Sequence, residues 1–254
     1  VELNNPHLPL TPRKECIIME SPQRAVVLAA GRGQRLRPFT DHIPKPLLPV
    51  NGRPTLDYIF AALTKAGVEQ VCLVTHHLAE QIEAYAQNGH AWDLRVTTCQ
   101  QTTMRGTADA LKVALNFVTT SCYVLAADYV LPSDYLQILK EAYIQGSTPL
   151  AVALRPLPEG ESSRRSSVRF DENGRILEIV EKPAPGLAPS DIGASLIYII
   201  PPDIRRYLAQ PPLSARGEYE LPTIINQMIQ DGYAITGCLQ APPPEWQPPG
   251  IMKP

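Results

Sequence analysis

Apolar residues fall along this chain in two rhythms. Short runs rich in Val, Ile, Leu, Cys and Ala recur at 26–28, 71–75, 94–98, 122–126, 149–154, 192–200 and 233–239. Such runs suit buried strands. Between them lie segments whose apolar residues return every three or four positions, which reads as helix. The segment 54–66 puts Leu56, Ile59, Phe60 and Leu63 on one face, and Gly67 stops it. Segments 78–86 and 202–208 read as shorter helices, and 133–143 places Leu136, Leu139 and Tyr143 inward. Leu221, Ile224, Ile225 and Met228 mark a further helix ended by Gly232. Asn51-Gly52 is a turn signal, and 168–170 with 175–180 reads as a β-hairpin around Asn173-Gly174. The strand–helix alternation of the first half predicts a parallel, doubly wound sheet, and the hairpin in the second half adds mixed strands.

Bulk properties narrow the class. A chain of 254 residues with 44% apolar residues can bury one large α/β core or two small ones. No internal repeat divides it, so a leader at 1–23, a single domain at 24–240 and a Pro-rich tail at 241–254 are expected. The leader carries Pro6, Pro9, Pro12 and Pro22, with a short extended piece expected at Cys16-Ile17-Ile18. The formal net charge of −2 argues against a nucleic-acid binder. No apolar run approaches the length of a membrane span, and the N-terminus is not signal-like. The five cysteines are scattered and lack CxxC spacing, which reads as reduced thiols in a cytoplasmic protein rather than a zinc site or a disulfide framework.

Chemistry concentrates at 25–49. After Val26-Val27-Leu28 the chain turns to Ala29-Ala30-Gly31-Arg32-Gly33, whose small residues let backbone N–H groups approach phosphate oxygens. Arg35, Arg37 and Lys45 follow as fixed positive charge. A P-loop requires Gly-Lys-Ser/Thr, yet Gly33 is followed by Gln34-Arg35. The dinucleotide fingerprint requires a third glycine or alanine where Leu36 stands. Further along, Thr107 is placed to cap a helix after Gly106, an edge suited to a polar ligand and equally to a plain capped helix. Asp128 ends an apolar strand, so it points into the crevice where such sheets bind ligands, or caps the next turn. The adjacent His76 and His77 do not converge as metal ligands and read as loop residues.

The stretch Gly31-Arg32-Gly33-Gln34-Arg35-Leu36-Arg37-Pro38-Phe39-Thr40, followed by Lys45-Pro46-Leu47-Leu48-Pro49, resembles the signature of the sugar-1-phosphate nucleotidyltransferases, with Gln34 in place of Thr/Ser. Gln101 stands five residues before Gly106, Glu181-Lys182-Pro183 follows the hairpin, and 217–220 reads Gly-Glu-Tyr-Glu, each similar to a family segment. The resemblance implies an α/β fold: a Rossmann-like three-layer nucleotide-binding domain with a predominantly parallel mixed sheet, of the nucleotide-diphospho-sugar transferase type. It implies NTP and a sugar 1-phosphate as substrates, an NDP-sugar and pyrophosphate as products, and Mg²⁺ as cofactor, with room for a homo-oligomer. By the same resemblance Ala30, Gly31 and Gly33 hold the nucleotide, Gln101 and Gly106 meet the base, and Arg35 and Lys45 act on the phosphates. Asp128 holds the metal, Glu181 meets sugar hydroxyls, and Lys182 meets the sugar phosphate. UTP or dTTP with glucose 1-phosphate fits best; alternatives are a mannose-1-phosphate guanylyltransferase and a non-catalytic sugar-nucleotide-binding regulatory relative. The sequence departs from the family at three further places. Ala127 replaces a glycine before Asp128, and Ser166 stands where the family usually has a glycine near the sugar. Beyond Trp246, with Gly250 in register, Pro248 replaces the second metal Asp, so Asp128 is expected to serve alone.

Overall fold

The computed structural model describes residues 20–243. The chain opens with β1 (Arg24–Leu28), then makes single-turn 3-10 helices at Gln34–Leu36, Phe39–Asp41 and Lys45–Leu47. It doubles back in the minimal hairpin β2 (Pro49–Val50) and β3 (Arg53–Pro54). Asn51 and Gly52 both take positive φ, 49° and 76°, the turn that matches strand twist in two-residue hairpins. Next come α1 (Thr55–Lys65), β4 (Gln70–Thr75), α2 (Ala79–Ala86), β5 (Arg95–Gln100), α3 (Thr107–Val113) and β6 (Cys122–Ala126). The second half adds α4 (Tyr135–Gly146), β7 (Leu150–Pro156), β8 (Ser167–Phe170), β9 (Ile176–Val180) and β10 (Ile192–Ile200). It closes with α5 (Ile204–Leu208), α6 (Leu221–Gln230) and β11 (Ile235–Leu239).

One seven-stranded sheet runs β11-β7-β10-β6-β1-β4-β5. Within it β6, β1, β4 and β5 are mutually parallel, and β10 alone runs against its neighbours β6 and β7. This is the predominantly parallel mixed sheet expected from the sequence. Helices cover both faces because the strands are apolar on both. Leu56, Ile59, Phe60 and Leu63 of α1, Ile82 of α2, and Leu136, Leu139 and Tyr143 of α4 pack on one face. Leu111 of α3, Ile204 of α5, and Ile224, Ile225 and Met228 of α6 pack on the other. The four described cysteines are free thiols; Cys16 lies outside the described residues. The tail residues Trp246, Pro248 and Gly250 lie outside them too, as does most of the leader. Among the described residues no helix is long and apolar enough to cross a membrane.

Two local readings change. The β8–β9 connection spans 171–175 rather than a tight Asn-Gly pair: Asp171 Oδ1 accepts from the amides of Asn173 and Arg175, and this Asx turn sets the loop. Thr107 does not cap its own helix. It occupies the first position of α3, Gly106 is the N-cap residue, and the Thr107 hydroxyl accepts the amide of Leu221 at 2.8 Å, serving the start of α6 instead. Two helices on the same face of the sheet thus begin at one shared point.

Gly106 makes that junction. Its φ is +125°, and a Cβ there would lie 2.4 Å from the Tyr219 carbonyl oxygen. Around it the Tyr219 amide donates to the Arg105 carbonyl and the Ala108 amide donates to the Tyr219 carbonyl, both at 2.8 Å. Gly106→Ala combines unfavourable backbone with overpacking and should cost about 3 kcal/mol. That corresponds to a fall in Tm of roughly 6–12 °C by calorimetry. A Tm unchanged from wild type would mean that segment 217–220 does not hold this position.

Candidate active site

The strand order places a switch point between β1 and β6. From β1 the chain moves outward to β4 and β5, then returns to β6 on the other side of β1. The loops after β1 and β6 therefore leave their strands side by side, and the crevice between them is where such sheets bind ligands. Leu28 is paired with Ala126, and the Ala127 amide donates to the Leu28 carbonyl at 3.0 Å, which carries the alignment past the strand ends. The glycine loop and Asp128 are thus neighbours by register. They line one cleft of about 910 Å³, together with Arg35, Lys45, Gln101 and Gly106. Ala30, Gly31 and Gly33 line it as well, so every residue expected on the nucleotide side reaches the same cavity.

The loop is held from behind. Gly33 takes φ +61° and its missing Cβ leaves room for Thr40, whose Cγ2 would stand 2.9 Å away. The buried Thr40 hydroxyl donates to the Gly33 carbonyl at 3.0 Å, and His77 Nε2 donates to the Thr40 carbonyl at 2.8 Å. His76 Nδ1 donates likewise to the Gln101 carbonyl at 2.6 Å. Both histidines are thus loop clamps. Lys45 is fixed through its own backbone: the buried Thr55 hydroxyl reaches the carbonyls of Lys45 and Pro46 at 3.1 and 2.8 Å. Arg35 is exposed and faces the cleft.

Lys45 Nζ lies 2.5 Å from Asp128 Oδ2, so in this state the two residues expected to act on phosphate and on metal satisfy each other. Their side chains are 23% and 33% exposed, and a pair this open to water is worth about 1 kcal/mol or less. A pair this weak and this exposed can act as a latch.

Gln101 is buried, and its amide Nε2 donates to Asp109 Oδ2 at 2.8 Å. Asp109 Oδ1 accepts from Arg105 at 2.7 Å, and the Arg105 guanidinium lies 5.4 Å from the Tyr219 ring centre. The carboxylate orients both the expected base reader and the arginine beside it. Met104, Leu213 and Tyr219 add an apolar wall on which a planar base can lie. Asp109 was visible in the sequence only as a polar residue inside an otherwise apolar helix turn.

A second pocket of about 260 Å³ opens beside the cleft and shares Arg35, Thr107 and Asp128 with it. Glu181 and Lys182, the two residues expected on the sugar side, line it. Lys182 takes φ +45°, uncommon for a side-chain-bearing residue, and its amide donates to the Arg165 carbonyl at 3.1 Å. Ser166 lies just ahead of β8, and its hydroxyl donates to Glu181 Oε2, so the side chain at the position where a glycine was expected binds the carboxylate expected on the sugar side. Arg216 bonds Glu220 and lies 3.6 Å from Glu218. Burial raises the Glu220 pKa above the usual carboxylate value, with Arg216 opposing it. Burial likewise pushes the Tyr198 phenol up.

Among the described residues no group of three or more His, Cys, Asp or Glu side chains could cage a metal. A single cleft-facing carboxylate still suits a hard cation that takes its remaining ligands from phosphate and water.

A profile of the family described as nucleotidyl transferase matches residues 24–242. The chain is 28% identical over 214 residues to the low-salt glycan biosynthesis nucleotidyltransferase Agl11 of Haloferax volcanii, covering 84% of this chain and 58% of that protein. It is 29% identical over 214 residues to the UTP–glucose-1-phosphate uridylyltransferase AglF of the same organism, covering 84% and 86%. For several relatives, Agl11 among them, this chain spans only about half the length. In fold it is similar to a UDP-glucose pyrophosphorylase crystallised with UDP-glucose, at TM-score 0.77 and 22% identity, over 85% of this chain and 90% of that one. With the profile extending from the first strand of the sheet to the last, the chain belongs to the nucleotidyl transferase family.

Proposed function

We propose that this protein is a sugar-1-phosphate nucleotidyltransferase that converts an NTP, UTP or dTTP, and a sugar 1-phosphate into an NDP-sugar and pyrophosphate. The observation that carries this reading is the convergence of the glycine loop, Arg35, Lys45 and Asp128 on one cleft that opens into the Glu181–Lys182 pocket. The uridylyltransferase name of one relative supports UTP.

A phosphate oxygen of the sugar 1-phosphate attacks the α-phosphorus. A new P–O bond forms, the α–β bridging P–O bond breaks, and the electron pair leaves with pyrophosphate. No protein nucleophile is required, because positioning and charge stabilisation carry this class of transfer. Loop 30–33 offers backbone amides to the nucleotide phosphates. Arg35 meets the departing pyrophosphate. Lys45 leaves Asp128 when the phosphates enter and meets the α-phosphate, so the latch becomes part of the catalytic charge. Lys182 orients the attacking phosphate and Glu181 accepts from sugar hydroxyls. Asp128, released from Lys45, is the residue to hold Mg²⁺, which when bound neutralises phosphate charge.

Removing Lys45 or Arg35 should cost transition-state stabilisation rather than folding. Lys45→Ala and Arg35→Ala are each expected to lower kcat on the order of 10²-fold, with Tm within a few degrees of wild type. Full turnover in both variants would refute the assignment.

The sugar side should separate from the nucleotide side. Glu181→Ala and Lys182→Ala are expected to weaken sugar 1-phosphate use at least tenfold while calorimetry shows NTP affinity nearly intact. Equal loss of NTP affinity would place the hairpin elsewhere.

The latch predicts how metal binds. Without nucleotide, Mn²⁺ followed by electron paramagnetic resonance should bind weakly, because Lys45 competes for Asp128, and Lys45→Ala should bind it more tightly. Asp128→Asn should remove both this binding and metal-dependent turnover. Unchanged Mn²⁺ binding in Asp128→Asn would move the metal to another residue.

A further inference from the structure

Gln101 brings one polar atom to the nucleotide cleft in a fixed state. The residue is only 3% exposed, yet it lines the cleft. Its backbone is tied on both sides: the amide donates to the Thr75 carbonyl at 2.8 Å, and its carbonyl accepts from His76 Nδ1 at 2.6 Å. The side-chain Nε2 donates to Asp109 Oδ2. That leaves Oε1, which accepts no hydrogen bond among the described residues and is not sealed from solvent. A residue this buried meets solvent through the cleft that it lines, so Oε1 is the atom it shows to a ligand.

Asp109 decides which end of that amide faces outward. It is buried in the first turn of α3, and its two oxygens are divided. Oδ1 takes the Arg105 guanidinium at 2.7 Å, and Oδ2 takes Gln101 at 2.8 Å. A carboxylate only accepts. Turning the Gln101 amide over would set Oε1 against Oδ2, two acceptors with no proton between them at a buried position. The amide therefore stays with its nitrogen inward and its oxygen outward. An outward acceptor asks for a donor on the base. Uracil and thymine carry one at ring N3. Cytosine has a bare lone pair at N3 and would meet Oε1 acceptor to acceptor. Met104, Leu213 and Tyr219 line the same cleft, but an apolar wall supports either pyrimidine ring and makes no such choice.

We propose that Asp109 is the positioning residue that sets base selectivity: by locking Gln101 with Oε1 outward, it admits a pyrimidine with a proton at ring N3 and rejects cytosine. The inference rests on the nucleotidyl-transfer reading above and deepens its nucleotide site. The division of the carboxylate also fixes what an isosteric amide would do. In Asp109→Asn the Arg105 guanidinium, a donor only, keeps the one remaining oxygen, so the new amide nitrogen faces Gln101. Gln101 then turns its own oxygen inward to accept from that nitrogen and shows Nε2 to the cleft, where it donates to cytosine N3. One changed atom that touches no ligand should move the preference from one pyrimidine to the other.

The test measures pyrophosphate release from UTP, dTTP, CTP and 3-methyl-UTP, each with glucose 1-phosphate or mannose 1-phosphate, in wild type and Asp109 variants. Wild type is expected to use UTP and dTTP. Its kcat/KM for CTP, and for 3-methyl-UTP, which lacks the N3 proton, should be lower by roughly 100-fold or more. Asp109→Asn should move the CTP:UTP ratio of kcat/KM toward CTP by about tenfold or more, with KM for the sugar 1-phosphate near that of wild type. Asp109→Ala biases Gln101 neither way, so it should narrow the ratio without reversing it, and it decides the question if the Asn variant does not fold. An Asp109 that merely supports the fold would lower both nucleotides alike and leave the ratio unchanged. That result, or wild-type use of CTP or 3-methyl-UTP equal to UTP, overturns the inference and leaves nucleotidyl transfer standing. If no nucleotide releases pyrophosphate, the catalytic reading falls, and calorimetric titration of UTP and CTP into wild type and Asp109→Asn decides this inference alone. Affinity that moves toward CTP in the variant supports it; an unchanged preference, or none in wild type, overturns it.

Discussion

The parallel pairing of β1 with β6 is the constraint on which the site depends. Because Leu28 stands opposite Ala126, the chain leaves both strands at one height, and two loops nearly a hundred residues apart in sequence become neighbours. A one-residue slip in that register would turn the strand faces over as well as move the loops, so the two apolar layers that lock the sheet also set the spacing of the site. Helix packing on both faces makes such a slip expensive. The rigidity needed to hold polar groups in place is therefore supplied by residues that never touch a ligand, such as Val26 and Val124.

On that base the electrostatics are economical. Lys45 and Asp128 come from different loops and each stabilises the other's charge; in the proposed reaction each would turn to an opposite partner. A charged site left empty costs free energy in repulsion and disorder, and a weak internal ion pair relieves that cost without sealing the site. Asp109 does the same for Gln101 and Arg105, though it is buried and so holds them more firmly. In the proposed reading the phosphate end is thus the adaptable one and the base end the fixed one.

Much of the framework was legible in the sequence. The apolar run at 192–200 is β10 to the residue, and the helix expected at 54–66 is α1 less its two end residues, because β-branched runs and 3.6-residue periodicity report burial directly. The glycine loop could be read because Gly33 answers a local need for positive φ and for space beside Thr40. What could not be read depends on contacts across the chain. Thr107 looks like the cap of its own helix, yet its partner is Leu221. Lys45 looks like a free cation, but Asp128 meets it. The arginines at 155, 164, 165 and 216 form no pattern in sequence, yet they line one pocket at the end of the neighbouring strands β7 and β10.

The segment after α5 makes one further demand. Gly217, Glu218 and Tyr219 border the nucleotide cleft, while Arg216, Glu218 and Glu220 border the smaller pocket, and the whole stretch is tied through Tyr219 to the start of α3. One short strip of backbone is thus the partition wall between two rooms. Whatever orders it from one side lowers the entropy cost of occupying the other. Thermodynamic reciprocity then makes the effect of the first ligand on the second equal to that of the second on the first.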